Sequence, residues 1–148
     1  MQENKLNRHE VREKAVQSLF QLQQTNNEHS IEEAISFALE AGNDPEAPYT
    51  GPASDYLHQL VLGVQNNKNA IDELIRGYLS SGWTIDRIAS IDLAVLRLAF
   101  YEVVFEDEEQ VPNKVAVNEA IELSKTFSDE KSRKFISGVL AKLLEKQQ

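Results

Sequence analysis

The chain is expected to be all-α, with about seven helices arranged around one buried central helix, on three observations. In the stretch Trp83–Phe105, WTIDRIASIDLAVLRLAFYEVVF, only Arg97 and Glu102 are charged from Leu93 onward. At steps of about 100°, Ile88, Val95 and Ala99 fall on one side, Leu93, Phe100 and Val104 on another, and Ala94, Leu98 and Phe105 on a third. A helix apolar on every side is buried among neighbours. It is shorter than a membrane span, which needs roughly 20 apolar residues. The other stretches repeat apolar residues at helical spacing, and none shows the period-two alternation of a strand.

The first helix is expected from about Asn7 to Gln24, with Val11, Ala15, Leu19 and Leu22 as its inner stripe. Arg8 and Arg12 lie on the same side at its start. Because a buried charge needs a partner, they are expected to overhang the bundle end. Val16 and Phe20 flank the stripe, Phe20 as either a side wall or an exposed contact. Ser30 with Glu33 reads as a capping box opening a second helix, with Ile31, Ala34, Ile35, Ala38 and Leu39 inward and Gly42 as its stop. Residues 42–52 hold three prolines and two glycines and read as a surface loop. A third helix starts near Pro52–Ser54 and buries Leu57, Leu60, Val61 and Val64. Asn66–Asn69 breaks or bends the chain. A fourth helix, with Ile71, Leu74, Ile75, Tyr78 and Leu79, runs to Ser80-Ser81-Gly82. Thr84 is read as the cap of the central helix, with Asp86 in its first turn, and Trp83 as a core plug. Pro112 starts a sixth helix, whose inner face is Ala116, Val117, Ala120, Leu123 and Phe127. Ser128 is read as the cap of a seventh, with Phe135, Ile136, Val139, Leu140, Leu143 and Leu144 on its apolar face and Lys131, Lys134, Gly138 and Lys142 along one edge.

A length of 148 residues suits one domain, and 41% apolar content suffices for a core. The absence of cysteine excludes disulfides, thiolate catalysis and cysteine-ligated zinc, and fits a reducing, cytoplasmic setting. The first 14 residues have no apolar signal core. The net charge of −9 argues against a generic polyanion binder. Its distribution is uneven: +1 over residues 1–14, −7 over 15–67, −6 over 68–124 and +3 over 125–148. The two basic ends read either as solvated termini or, if they meet, as one basic patch on an acidic body.

Little points to catalysis. His9, His29 and His58 have no metal-ligand spacing, and the HExxH, Walker, GxGxxG and GxSxG signatures are absent. Glu106–Glu109 reads as a solvated turn, and Asp86 and Asp92 are too far round the helix to form a dyad. A binding protein remains, with an anionic partner suited to the basic ends.

The motif W-x-x-x-R-I-x-x-I-D-x-A-V-L-R-L-A-x-Y-E, from Trp83 to Glu102, resembles the signature of the bacterial NusB family. Pro112–Phe127, PNKVAVNEAIELSKTF, is similar to that family's P-x-K-V-A-I-N-E-A-I-E-L-A-K-x-F. Lys134–Leu140 resembles its K-F-V-N-G-V-L, with Ser137 in place of the usual Asn. R-x-x-A-V-Q-x-L-F from Arg12 and L-V-x-G-V from Leu60 extend the likeness along the chain. The resemblance implies two small packed helical bundles and a transcription antitermination factor, with no catalytic residues and no required cofactor. It implies binding of boxA, a short single-stranded RNA, together with NusE, a small-subunit ribosomal protein, in a complex with RNA polymerase and other Nus factors that supports rRNA transcription. Carried over by position, Lys5, Arg8, Arg12, Lys131, Lys134 and Phe135 are the expected RNA contacts. Phe135 would stack a base while Lys131 neutralises phosphate. His9 and Glu10 stand where further arginines often occur, so the arm carries fewer cations. Phe20, Asp86 and Asp92 match positions that face NusE. Arg8 and Arg12 are expected beside the basic edge of the last helix. Monomer and homodimer both stay open, with Val16 and Phe20 as a flank that a second copy would cover. Two other readings compete with this one. An rRNA cytosine methyltransferase with a NusB-like domain would need a Rossmann-type domain and a catalytic Cys, neither of which this chain has. A structural helical protein with no RNA role would show no salt-dependent RNA affinity.

Overall fold

The computed structural model describes residues 6–26, 28–40 and 54–147, and every described regular element is helical. Among the described residues seven α-helices follow one another: α1 Arg8–Gln24, α2 Ile31–Glu40, α3 Asp55–Asn66, α4 Lys68–Arg76, α5 Ser90–Val104, α6 Asn113–Phe127 and α7 Glu130–Lys146. A 3-10 turn, Ile85–Arg87, precedes α5. The chain divides into two compact units, Met1–Leu62 and Gly63–Gln148, with the boundary inside α3. The expected stop at Gly42 and the loop at 42–52 lie outside the described residues.

In the first unit α1 packs on α2. Asn7 and Glu10 close a capping box at the start of α1: the Glu10 N–H donates to Asn7 Oδ1 at 2.8 Å and the Asn7 N–H to Glu10 Oε1 at 2.9 Å. Each bond satisfies a backbone donor that the first helical turn leaves without a partner. Ser30 and Glu33 make the same reciprocal pair at 3.1 and 3.0 Å, as their spacing predicts. Val11, Ala15, Leu19 and Leu22 are buried, as is Val16, which therefore is not an exposed flank for a second copy. Burial pushes the Lys14 ammonium below its ordinary value, against the pull of Glu13 and Glu10.

In the second unit α5 packs against α4, α6 and α7, and α6 packs on α7. Twelve of the fifteen α5 residues are buried, including Leu93, Leu96, Leu98 and Phe100. The Arg97 guanidinium, 8% exposed, is held in a fork by Asp72 of α4: Nε and Nη2 donate to its two carboxylate oxygens, each at 2.8 Å. That geometry answers the requirement that a charge inside an apolar helix be paired.

Three expected boundaries move. The fourth helix leaves the α ladder at Gly77, where Tyr78 and Leu79 donate to Ile75 and Arg76 at i−3 spacing and tighten the end into a turn. Tyr78 still reaches the core, edge-on to Phe100 at 5.4 Å. Thr84 does not cap α5; it precedes the 3-10 turn and makes no side-chain cap bond. Ile88 then runs extended, and α5 begins at Ser90. Asp129, not Ser128, caps α7, its carboxylate accepting from the Ser132 N–H at 2.8 Å. That bond holds the Asp129 carboxyl below the usual range.

Candidate nucleic-acid and partner interface

Buried Ile136, Val139, Leu140 and Leu143 fix α7 on its neighbours and so determine which face stays outside. Lys131 and Lys134 are exposed, and Phe135 is half-buried one turn beyond Lys131. Residues four apart share a helix face, so Lys131 and Phe135 are neighbours. Lys134 sits 3.8 Å from Glu130 in an exposed pair, which is weak in water and leaves the ammonium free to exchange. A Cβ on the exposed Gly138 would meet nothing within 4 Å, so the surface beyond Phe135 is open.

Trp83 does not plug the core. It is 46% exposed, and its ring stacks on Phe135 with centroids 5.7 Å apart and planes 28° from parallel. The turn that places it contains Gly82 at φ +87°, a left-handed conformation that glycine adopts without cost. The Trp83 N–H donates to the Ser80 carbonyl at 3.0 Å. Exposed Arg87 reaches back to the Gly82 carbonyl at 3.4 Å. The Ser/Gly-rich loop around Trp83 was a usable sign that the ring lies outside the core. Nothing local in the sequence joins it to Phe135.

On the first unit, exposed Arg8 lies over the Tyr56 ring, 4.1 Å from its centroid. Arg12 is only 3% exposed and is partnered, so its side chain does not overhang as expected. It shares the α1 face of buried Val11 and Ala15, and the helix carries it inward with them. Lys5 lies outside the described residues.

The three expected partner residues separate. Phe20 is half-buried on α1 and Asp86 is exposed in the 3-10 turn. Asp92 is 4% exposed and accepts a hydrogen bond from the Ser128 hydroxyl, so its side chain is not a surface group. The acid in the first turn of α5 is Asp92, not Asp86 as expected, and it is buried because its partner Ser128 lies 36 residues further along.

Each histidine faces a glutamate: His9 with Glu13 at 2.9 Å, His29 with Glu33 at 3.4 Å, His58 with Glu32 at 3.1 Å. No group of three or more metal-ligating side chains occurs among the described residues. No described helix is long and apolar enough to cross a membrane. An open groove of about 400 Å³ on the first unit is lined by Gln21, His29, Ser36, Phe37 and three glutamates, Glu32, Glu33 and Glu40. Its acidic lining would repel phosphate.

Comparison with known proteins gives a consistent result. The sequence model of the NusB family matches residues 9–145. The transcription antitermination protein NusB of Lactiplantibacillus plantarum is 47% identical over 142 residues, 96% of this chain and 97% of that protein. The transcription antitermination protein NusB of Enterococcus faecalis is 42% identical over 147 residues, 98% and 94% of the two chains. Among solved structures, T. maritima NusB superposes with a TM-score of 0.77 at 30% identity, covering 95% of this chain and 92% of that one. A chain from a crystal structure of the antitermination factors NusB and NusE with dsRNA has the same fold, with a TM-score of 0.75 at 24% identity over 94% of this chain and 96% of that one.

Proposed function

The chain belongs to the NusB family, and from that premise we propose that it is a transcription antitermination factor, a non-enzymatic adaptor of the cytoplasm. It binds boxA-type single-stranded RNA together with NusE and joins RNA polymerase and other Nus factors in support of rRNA transcription. The observation that carries this reading is the 47% identity to a transcription antitermination protein over nearly the whole of both chains. The chemistry of α7 supports it: two exposed lysines beside an aromatic ring are what an unpaired, charged strand requires.

Within this reading, Lys131, Lys134 and Phe135 contact RNA on the second unit. Arg8 and Lys5 contact it on the first. Arg12, being buried, steadies the start of α1 and does not touch phosphate. Phe20 and Asp86 face the basic protein NusE, while Asp92 supports that face from inside. The acidic remainder discourages non-specific nucleic acid and attracts a basic partner. The chain works as one RNA-binding domain and needs no metal or cofactor. With Val16 buried, Phe20 alone does not argue for a homodimer.

The test is titration of boxA RNA, with and without NusE, across salt concentrations. Binding should tighten when NusE is present and weaken linearly in log K against log salt. Removing Lys131 and Lys134 together should flatten that slope by about 1 to 2. Salt-independent binding, or none, would favour a purely structural protein.

A further inference from the structure

We propose that Trp83 is a second base-stacking ring, and that Trp83 and Phe135 together form a platform for unpaired RNA bases. The proposal rests on the RNA-binding reading above. Three observations lead to it. Trp83 is the only tryptophan in the chain, and it is 46% exposed although its ring is already stacked on Phe135. A ring packed only for burial would be driven under cover, since large aromatic surface gains most from leaving water. The pair is also held before any ligand arrives. Phe135 is fixed by the buried residues that follow it on α7, and Trp83 by the Gly82 turn and its bond to Ser80. A preset ring pair loses little freedom when a base adds to it.

The third observation is the charge at the rim. Lys131 and Lys134 lie beside Phe135 on α7, and Arg87 folds back to Gly82, the residue before Trp83. Three cations around two rings suit a strand that stacks its bases and carries phosphate along its edge. The acids nearby do not remove this character: Asp129 is engaged by the Ser132 N–H, Glu130 faces Lys134 in an exchangeable pair, and Asp86 is exposed to solvent. Bases in a duplex are closed to such stacking, so the occupant is single-stranded. Every base has a π-face, so the platform supplies affinity more than sequence choice.

The single tryptophan makes its own reporter. The full chain is titrated with an unpaired boxA-type oligoribonucleotide, following intrinsic emission and, separately, the anisotropy of labelled RNA. Emission should be quenched with the same midpoint as the anisotropy, and a duplex of the same sequence should not quench it. Trp83→Ala should lower affinity roughly 10-fold with an unchanged salt slope, because it removes stacking and no charge. Trp83→Phe should recover most of the loss. The proposal fails if wild-type protein binds RNA while its emission is unmoved, or if Trp83→Ala binds as tightly as wild type; the RNA-binding reading survives either result. Absence of wild-type binding overturns that reading itself. Loss of NusE affinity on Trp83→Ala with unchanged RNA affinity would make the ring pair a protein contact and overturn the platform.

Discussion

Gly63→Ala sets two effects of opposite sign against each other. Gly63 lies inside α3, where alanine is intrinsically better than glycine by about 1 kcal/mol. A Cβ there would overlap Cζ, Oη and Cε1 of Tyr101, the last at 2.5 Å, whereas carbon atoms rest at about 3.5–4.0 Å. The ring must therefore retreat by about 1 Å or more. It has little room to do so: Tyr101 is 8% exposed, stacks on Phe105 at 6.1 Å, and springs from the most enclosed helix of the unit. Overpacking of this kind costs about 1–3 kcal/mol, and so deep an overlap belongs at the upper end. The net expectation is a loss of about 2 kcal/mol, or about 4–8 °C in Tm for a chain of this size. Urea unfolding measures it, with the m-value as a check that the unfolded state is unchanged. Tyr101→Leu removes the three overlapping atoms, so in that background Gly63→Ala should stabilise by about 1 kcal/mol. A raised midpoint for Gly63→Ala alone would refute the close approach, and so would a loss that persists in the Tyr101→Leu background.

The Arg97–Asp72 fork gives a second test. Asp72→Ala leaves a nearly buried guanidinium unpaired and should cost about 3 kcal/mol in urea unfolding, whereas Arg97→Met with Asp72→Leu should restore most of that loss. Asp92→Lys should lower Tm sharply, because it places a charge in a site 4% exposed, while Asp92→Asn keeps an acceptor for Ser128 and should melt close to wild type. The Asp129 cap yields a pH prediction. Its folded carboxyl is held below the usual range, so its contribution is full at neutral pH and is lost as pH falls from the ordinary carboxylate value through the depressed one. The Tm difference between wild type and Asp129→Ala should therefore shrink on acidification over that window, and a pH-independent difference would contradict the assignment.

Where the determinants are local, the sequence already states them. The Ser30–Glu33 box, the break at Asn67, the inner stripe of α1 and the burial of most of α5 all follow from spacing within a few turns. The exposed lysines beside Phe135 follow from the amphipathic pattern of α7 in the same way. What was misread depends on distant partners or on local geometry that composition does not encode. Asp92 looked like a surface acid until Ser128 met it. Thr84 had the right residue type for a cap, but the backbone made a 3-10 turn and an extended step before α5 began. Arg12 carries a charge yet shares a face with buried residues, and its burial follows the helix and not the residue type. Trp83 at a helix start reads as a core plug, but the Gly82 turn before it holds the ring out.

The enclosure of α5 also bears on how the chain is made. Its apolar sides are covered by α4 before it and by α6 and α7 after it. Roughly 40 further residues must leave the ribosome before Leu143 of α7 is available, about 2–8 s at ordinary rates of synthesis. Until then the most apolar segment of the protein lacks at least one of its three partners. A nascent chain stalled after Phe127 should therefore be protease-sensitive and held by chaperones, and release through Lys146 should end both together.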